Sequence, residues 1–279
     1  MDEKQKHPLG LALSGGGSKG FAHLGVLAAL DEIGLKPNII AGTSAGAFAG
    51  VLYADGHSPK DILSFFQKKA FKEFAEFTLP QSGLFKTDRF KSFLKKHLRA
   101  HTFEELQIPL RVAATDIENG VSKNFDSGSL IPAVVASCSF PIVFTPIEID
   151  GVHYVDGGLF KNFPVSLIRK QCEKIIGVNV SPITTQKYKN SLFYIAERSF
   201  HYISGANALI DRKLCDLLIE APSISKYPMF SLDHSSEIYQ LGYEAAMSTF
   251  EKNKDFIEKL TNISQPSQVI QETKIKKSV

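Results

Sequence analysis

The chain has 279 residues, of which 43% are hydrophobic and 22% charged, so a sizeable core is expected and wholesale disorder is excluded. A net charge of +3 is too mild for nucleic-acid binding, and no basic block alternates with aromatics; weak attraction to an anionic membrane surface remains compatible. The three cysteines, Cys138, Cys172 and Cys215, are far apart and form no C-x-x-C pair, which argues for free thiols in a reducing compartment rather than a zinc knuckle or disulfide framework.

The N-terminus to Pro8 is polar, and the apolar piece Leu9 to Leu13 is too short for a signal-peptide core. The uncharged run from Asn38 to Ala54 falls short of a membrane span and is broken by glycines. A soluble cytoplasmic protein, peripheral to membranes at most, is expected.

Leu9 to Leu13 reads as a short buried strand. The turn Ser14-Gly15-Gly16-Gly17-Ser18-Lys19-Gly20 follows, then Phe21, Leu24, Leu27, Leu30 and Ile33 at helical spacing, with Gly34 as the stop. Asn38 to Ala41 is a second strand. It runs into Gly42-Thr43-Ser44-Ala45-Gly46 and a helix to about Ala54. This βαβα order predicts a parallel sheet covered on both faces. Ser58-Pro59-Lys60-Asp61 starts a helix whose one side would carry Ile62, Leu63, Phe66, Ala70, Phe74 and Phe77. The phenylalanines there are read either as core packing or as a mobile apolar cap touching lipid. After the Pro80–Gly83 loop, Thr87-Asp88 caps a helix to about Leu98. Pro109 to Ala114 and Val121 to Phe125 are strands around a turn, and Leu130 to Ala136 is a short helix. Phe144 to Glu148 and Val152 to Val155 form a hairpin that ends in the tight turn Asp156-Gly157-Gly158. Pro164 to Gln171 reads as a helix, Lys174 to Val180 as a strand, and Leu192 to Leu209 and Ser236 to about Leu260 as helices. One domain over residues 1–262 is expected, with a polar, disordered tail at 263–279 carrying Lys274, Lys276 and Lys277.

Two turns carry chemistry. A strand, three glycines and a helix N-terminus make a cradle of backbone N–H groups for an anion, bound or transient. The residues Gly15 to Gly20 match G-x-G-x-x-G, but the acidic residue a dinucleotide site needs about 20 positions on is absent, and Gly20 stands where a P-loop has Ser or Thr. Gly42 to Gly46 fits G-x-S-x-G, in which small residues leave a serine hydroxyl exposed between strand and helix. Turns after adjacent parallel strands emerge on one sheet edge, so the cradle should face Ser44 as an oxyanion hole faces a nucleophile. None of the eight histidines lies in a small-residue turn after an apolar strand. His7, His57 and His101 are expected to be exposed, and His201 and His234 to have surface or packing roles. A carboxylate is the alternative base: Asp156 is delivered by a strand into a glycine turn, although Asp-Gly-Gly is also ordinary turn chemistry.

Gly15 to Gly20, Gly42 to Gly46 and Asp156-Gly157-Gly158, in this order, resemble the patatin-like phospholipase family in its bacterial stand-alone form. Ala136-Ser137-Cys138-Ser139-Phe140-Pro141 and Ala114-Thr115-Asp116 add to the resemblance, which runs from about Leu9 to Val180; Lys19 stands where many members carry Arg. The resemblance implies a three-layer α/β/α fold with a mainly parallel central sheet, and a Ser–Asp dyad with Ser44 as nucleophile and Asp156 as base. The loop Gly15, Gly16, Gly17 and Ser18 would hold the oxyanion, with Gly16 and Gly17 the best donors. Lys19, Gly20, Gly42, Gly46, Gly157 and Gly158 would complete the supporting motifs. The implied activity is hydrolysis of phospholipid or lysophospholipid esters through an acyl-enzyme, without metal or cofactor because the donors are backbone groups. An acyltransferase or thioesterase on the same serine, or a non-catalytic lipid sensor, stays open.

Overall fold

Strand β1 (His7–Leu13) is buried on both sides from Leu9 onward, as expected of a strand with parallel neighbours on each edge. Those neighbours are β2 (Ile39–Thr43) and β9 (Cys172–Asn179). The structure, a computed structural model, describes residues 6–66, 76–77 and 85–264. The remaining strands of the main sheet are β5 (Leu110–Asp116), β6 (Val121–Phe125), β7 (Ile147–Ile149), β8 (Val152–Asp156) and β10 (Leu217–Glu220); β3 (Glu76–Phe77) and β4 (Phe85–Lys86) form a separate ribbon. The sheet order is β10-β9-β1-β2-β5-β8-β7, with β6 also on β5. Strands β10, β9, β1, β2 and β5 are parallel; β6, β7 and β8 are antiparallel.

The helices are α1 (Phe21–Glu32), α2 (Ala45–Ala54), α3 (Pro59–Ser64), α4 (Asp88–His97), α5 (Leu130–Ser137), α6 (Gly158–Lys161), α7 (Leu192–Arg212), α8 (Ser235–Lys252) and α9 (Lys254–Ser264). Strand alternation sorts them into two layers. Leu11, Leu13, Ile40, Val112 and Val178 pack with side chains of α1, α2, α5 and α8 on one face. Ala12, Ile39, Ala41 and Ile175 pack with Phe163, Ile168 and Ala208 of α7 on the other. The result is the expected α/β/α sandwich around a mainly parallel sheet.

One feature of the sheet positions the site. Ile40 N–H donates to Pro109 O, and Ile117 N–H donates to His153 O. Odd-numbered residues of the β5 strand and its extension therefore turn toward both β2 and β8, so those two strands share one edge of β5. β2 occupies residues 110–113 of that edge and β8 residues 114–116, running the opposite way. Their carboxyl ends meet head to head, Thr43 opposite Ala113 and Asp156 opposite Ala114.

Several expectations are corrected. Ser58 does cap α3, its hydroxyl accepting from Asp61 N at 3.1 Å, but the helix stops at Ser64 and Phe77 lies in the β3 ribbon. Phe74 and Ala70 lie outside the described residues. Pro164 to Gln171 forms two short 3-10 turns, not an α-helix. The helix expected from Ser236 to Leu260 is two, broken at Asn253. Strand β10 and helix α6 are additional elements. α9 runs to Ser264, and the expected tail beyond it lies outside the described residues.

Candidate active site

Ser44 sits at the N-terminus of α2 with φ 52° and ψ −121°, a left-handed conformation that is costly for a residue with a Cβ. The close approach of α2 to β1 enforces the turn: a side chain on Gly46 would run into the Leu13 carbonyl. The strained turn is held from both ends. Ser44 N–H donates to Ser137 Oγ at 2.8 Å, and that hydroxyl donates to Ala113 O at 2.6 Å. Ser44 O accepts from Phe48 N–H at 2.9 Å and from the Cys138 thiol at 3.3 Å.

Asp156 ends β8 and is 3% exposed. Its backbone is pinned by Asp156 N–H donating to Ser139 O (2.9 Å) and by the Thr115 hydroxyl donating to Asp156 O (2.9 Å). Its carboxylate accepts from Gly158 N–H at 2.7 Å, and the nearby Ser44 hydroxyl also favours its charged form. Burial outweighs both effects and pushes its pKa up to about 6. The Ala136-Ser137-Cys138-Ser139 segment thus fastens the serine turn through Ser137 and the aspartate through Ser139. In the Ala114-Thr115-Asp116 turn Thr115 has the same pinning role, while Asp116 closes the hairpin by accepting from Glu118 and Asn119.

The glycine loop faces this pair. Gly17 has φ 59°, and a side chain there would collide with Met229. Of the four residues expected to hold an oxyanion, two have their amides engaged: Gly15 N–H donates to Asn162 O at 2.9 Å, and Ser18 N–H to Met229 O at 2.8 Å. Gly15 and Ser18 therefore shape the loop instead of offering N–H groups. Among the described residues the amides of Gly16 and Gly17 have no hydrogen-bond partner. Gly20 lets the loop close on Ala45, and a Cβ there would lie 2.6 Å from the Ala45 Cβ. Gly42 lies against the Ala47 backbone and Gly157 against the Ala113 carbonyl, both too close for a side chain. Lys19 is buried but does not line the pocket; it lies in the field of Glu197, and burial lowers its pKa.

Asn162 and Asn207 were not legible as site residues. Asn207 Oδ1 accepts from Asn162 N–H at 2.9 Å, and its Nδ2 donates to Gly158 O at 2.8 Å. This clamps the segment after Asp156, and Asn162 O in turn clamps Gly15. An asparagine in the middle of a long helix is a poor helix former, and that was the available signal.

No histidine lines the pocket with Ser44 and Asp156. His23 is buried under the loop, its Nε2 2.8 Å from Ser14 O, and burial lowers its pKa to about 4. His201 is buried beside Ser181 Oγ at 3.3 Å rather than at the surface. His57, expected to be exposed, is half-buried and bonded to His97 O. Among the described residues no group of three or more His, Cys, Asp or Glu could hold a metal ion, and no helix is long and apolar enough to cross a membrane.

A pocket of about 170 Å³ opens over Ser44, Asp156 and the glycine loop. One wall is Phe21, Phe48, Phe66 and Phe90; the other is Phe140, Phe144, Phe200 and Met229. Phe66 packs edge-on against Phe21 at 5.1 Å, so it is both core and pocket wall.

The chain is 28% identical over 267 residues to the lysophospholipase NTE1 of Kluyveromyces lactis, covering 84% of this chain and 18% of that protein. It is 29% identical over 220 residues to an uncharacterized NTE family protein of Mycobacterium bovis, covering 72% of this chain and 60% of that one. It thus spans about a fifth of the length of the fungal relative. VipD from Legionella pneumophila shares the fold, with a TM-score of 0.52 and 15% identity over 88% of this chain and 67% of that one. The family model for patatin-like phospholipase matches residues 11–168, from β1 through both chemical turns, and the chain belongs to that family.

Proposed function

We propose that the protein hydrolyses carboxylic esters of phospholipids or lysophospholipids, with Ser44 as nucleophile and Asp156 as general base. The observation that carries this reading is the head-to-head meeting of β2 and β8, which brings Ser44 beside a buried carboxylate and two unpartnered glycine amides. Ser44 Oγ attacks the ester carbonyl while its proton passes to Asp156. The carbonyl oxygen becomes an oxyanion held by Gly16 and Gly17 N–H and the positive end of α2. Asp156 returns the proton to the leaving alcohol; a water deprotonated by Asp156 then attacks the acyl-enzyme, and the fatty acid leaves as that proton passes from Asp156 back to Ser44 Oγ. A carboxyl pKa near 6 narrows the gap to the alcohol and leaves the base ionised at neutral pH. The phenylalanine walls suit an acyl chain. The relative named as a lysophospholipase favours the lipid ester over other esters.

A panel of phospholipids and lysophospholipids, with wild type and Ser44→Ala, tests this reading. The wild type is expected to release fatty acid, and Ser44→Ala to be slower by at least about a thousandfold. Equal rates for the two proteins, both folded, would refute the assignment of Ser44. Acyl transfer to an added alcohol exceeding hydrolysis would move the reading to a transferase.

A further inference from the structure

The inner side of α7 lines the pocket through Phe200 and Ser204 and clamps the Asp156 segment through Asn207. Its outer side is the reverse of what a solvent-facing helix shows. Leu192, Ile195, Tyr202, Ile203, Leu209 and Ile210 are 46–85% exposed and fall within about 120° of one another around a 3.6-residue helix. That places them on one stripe about 27 Å long. Isolated exposed apolar residues are ordinary, whereas a contiguous stripe marks a docking surface.

Two more exposed apolar side chains stand between pocket residues in the sequence. Ile142 is 66% exposed between the pocket residues Phe140 and Phe144, and its φ of 72° is a strained conformation for a β-branched residue. Phe160, on α6 just past the Asp156 turn, is 46% exposed. The exposed charges of α7 and of the segment ahead of it are basic. Between residues 183 and 213 the sequence has Lys187, Lys189, Arg198, Arg212 and Lys213 against Glu197 and Asp211. Glu197 is half-buried in the field of Lys19, and Asp211 is 1% exposed, paired with Lys161 at 3.3 Å. Lys187, Lys189 and Lys213 are exposed, and the Arg198 guanidinium stacks on the Tyr202 ring at 4.4 Å. Arg212 is paired with Glu220 at 2.7 Å and exposed Asp216 with Arg169 and Lys174, which leaves apolar side chains, tyrosines and exposed lysines, a match for an anionic lipid interface. A symmetric pairing of two such faces would bring the same basic fringe against itself, which disfavours a second copy as the occupant.

We propose that the outer face of α7, with Ile142 and Phe160, docks on an anionic bilayer and holds the pocket mouth at the lipid interface. The proposal deepens the hydrolase reading and rests on it for the meaning of the pocket. Docking adds no chemistry; it shortens the path of an acyl chain from the bilayer to Ser44.

The test is sedimentation with phosphatidylglycerol–phosphatidylcholine vesicles and with phosphatidylcholine vesicles alone. The proteins compared are wild type, the Leu192→Asp/Ile210→Asp double variant and the Lys187→Glu/Lys189→Glu double variant. Turnover of a water-soluble short-chain p-nitrophenyl ester is measured in parallel. Wild type should bind the anionic vesicles better. The apolar variant should lose about tenfold or more of that binding, and the lysine variant most of the anionic preference. Ester turnover should stay within about twofold for both. The lysine variant, altered only ahead of α7, keeps the test decisive if the helix variant does not fold. Wild type failing to bind anionic vesicles, or binding unchanged in the folded variants, overturns the proposal. So does self-association of wild type that the apolar variant abolishes without any vesicle binding. Vesicle binding that follows this pattern in a protein inert on every ester would sink the hydrolase reading and leave docking intact. Ester turnover without vesicle binding would do the opposite.

Discussion

Ser44 and Asp156 stand at the ends of two strands that share one edge of β5, yet each is costly in a different way. The Ser44 turn stores its cost in the backbone, with φ 52° on a residue that has a Cβ. The Asp156 turn has relaxed helical geometry at Gly157, φ −64° and ψ −16°, and stores its cost in a buried charge. A single segment, residues 136–139, restrains both. Ser44 is thus held in place geometrically, whereas Asp156 is tuned electrostatically, and each half should respond to a different perturbation.

The largest effect is expected at the charge. The folded carboxyl of Asp156 titrates at about 6 against an ordinary 3.8, so the folded state binds this proton more tightly than the unfolded state. Its ionisation therefore destabilises the fold. The penalty is absent below about pH 4, grows through pH 6 and is complete above it. Asp156→Asn should stabilise the protein at pH 8 by up to about 3 kcal/mol and give no gain at pH 4, while abolishing turnover. Urea unfolding at the two pH values measures it. A loss of stability at pH 8 would break the comparison.

A smaller effect is expected at the shared restraint. Ser137→Ala leaves Ser44 N–H without its acceptor and should cost about 1–3 kcal/mol, with a drop in turnover. Asp156 should keep its titration near pH 6, because Ser139 still holds its backbone. A shift of that titration would show that the two halves are not separately tuned. The smallest effect lies in the strain itself. Ser44→Gly relieves the left-handed backbone and should be about 1 kcal/mol more stable than Ser44→Ala, both being inactive. Equal stability of the two variants would remove strain from the account.

The strand–turn–helix units around Gly15 to Gly20 and Gly42 to Gly46 were legible because glycine spacing and apolar runs encode them locally. The Asp156 turn was legible as a position. Its proximity to Ser44 depends on β8 pairing antiparallel with the upper half of the β5 edge, a long-range choice no local pattern reports. The same limit explains Gly15 and Ser18: their amides belong to the right loop, but Asn162 and Met229, far along the chain, had already claimed them. Asn207 left only the faint sign of a poor helix former within α7. The expectation for Phe77 failed in the opposite way: apolar spacing assigned it to a helix, and it pairs in the β3 ribbon instead. The α7 stripe has clear helical spacing too, and spacing alone cannot say that this face points outward.

The central claim is a histidine-free dyad in which a carboxyl titrating near pH 6 activates Ser44. The most direct measurement is the rate of covalent labelling by a fluorophosphonate as a function of pH, with the labelled residue identified by mass spectrometry. The account predicts a single label on Ser44, a rate that rises to half its maximum near pH 6, and labelling at least about a hundredfold slower and flat with pH in Asp156→Asn. Labelling of Ser44 in Asp156→Asn at the wild-type rate, or of another residue in wild type, would contradict it.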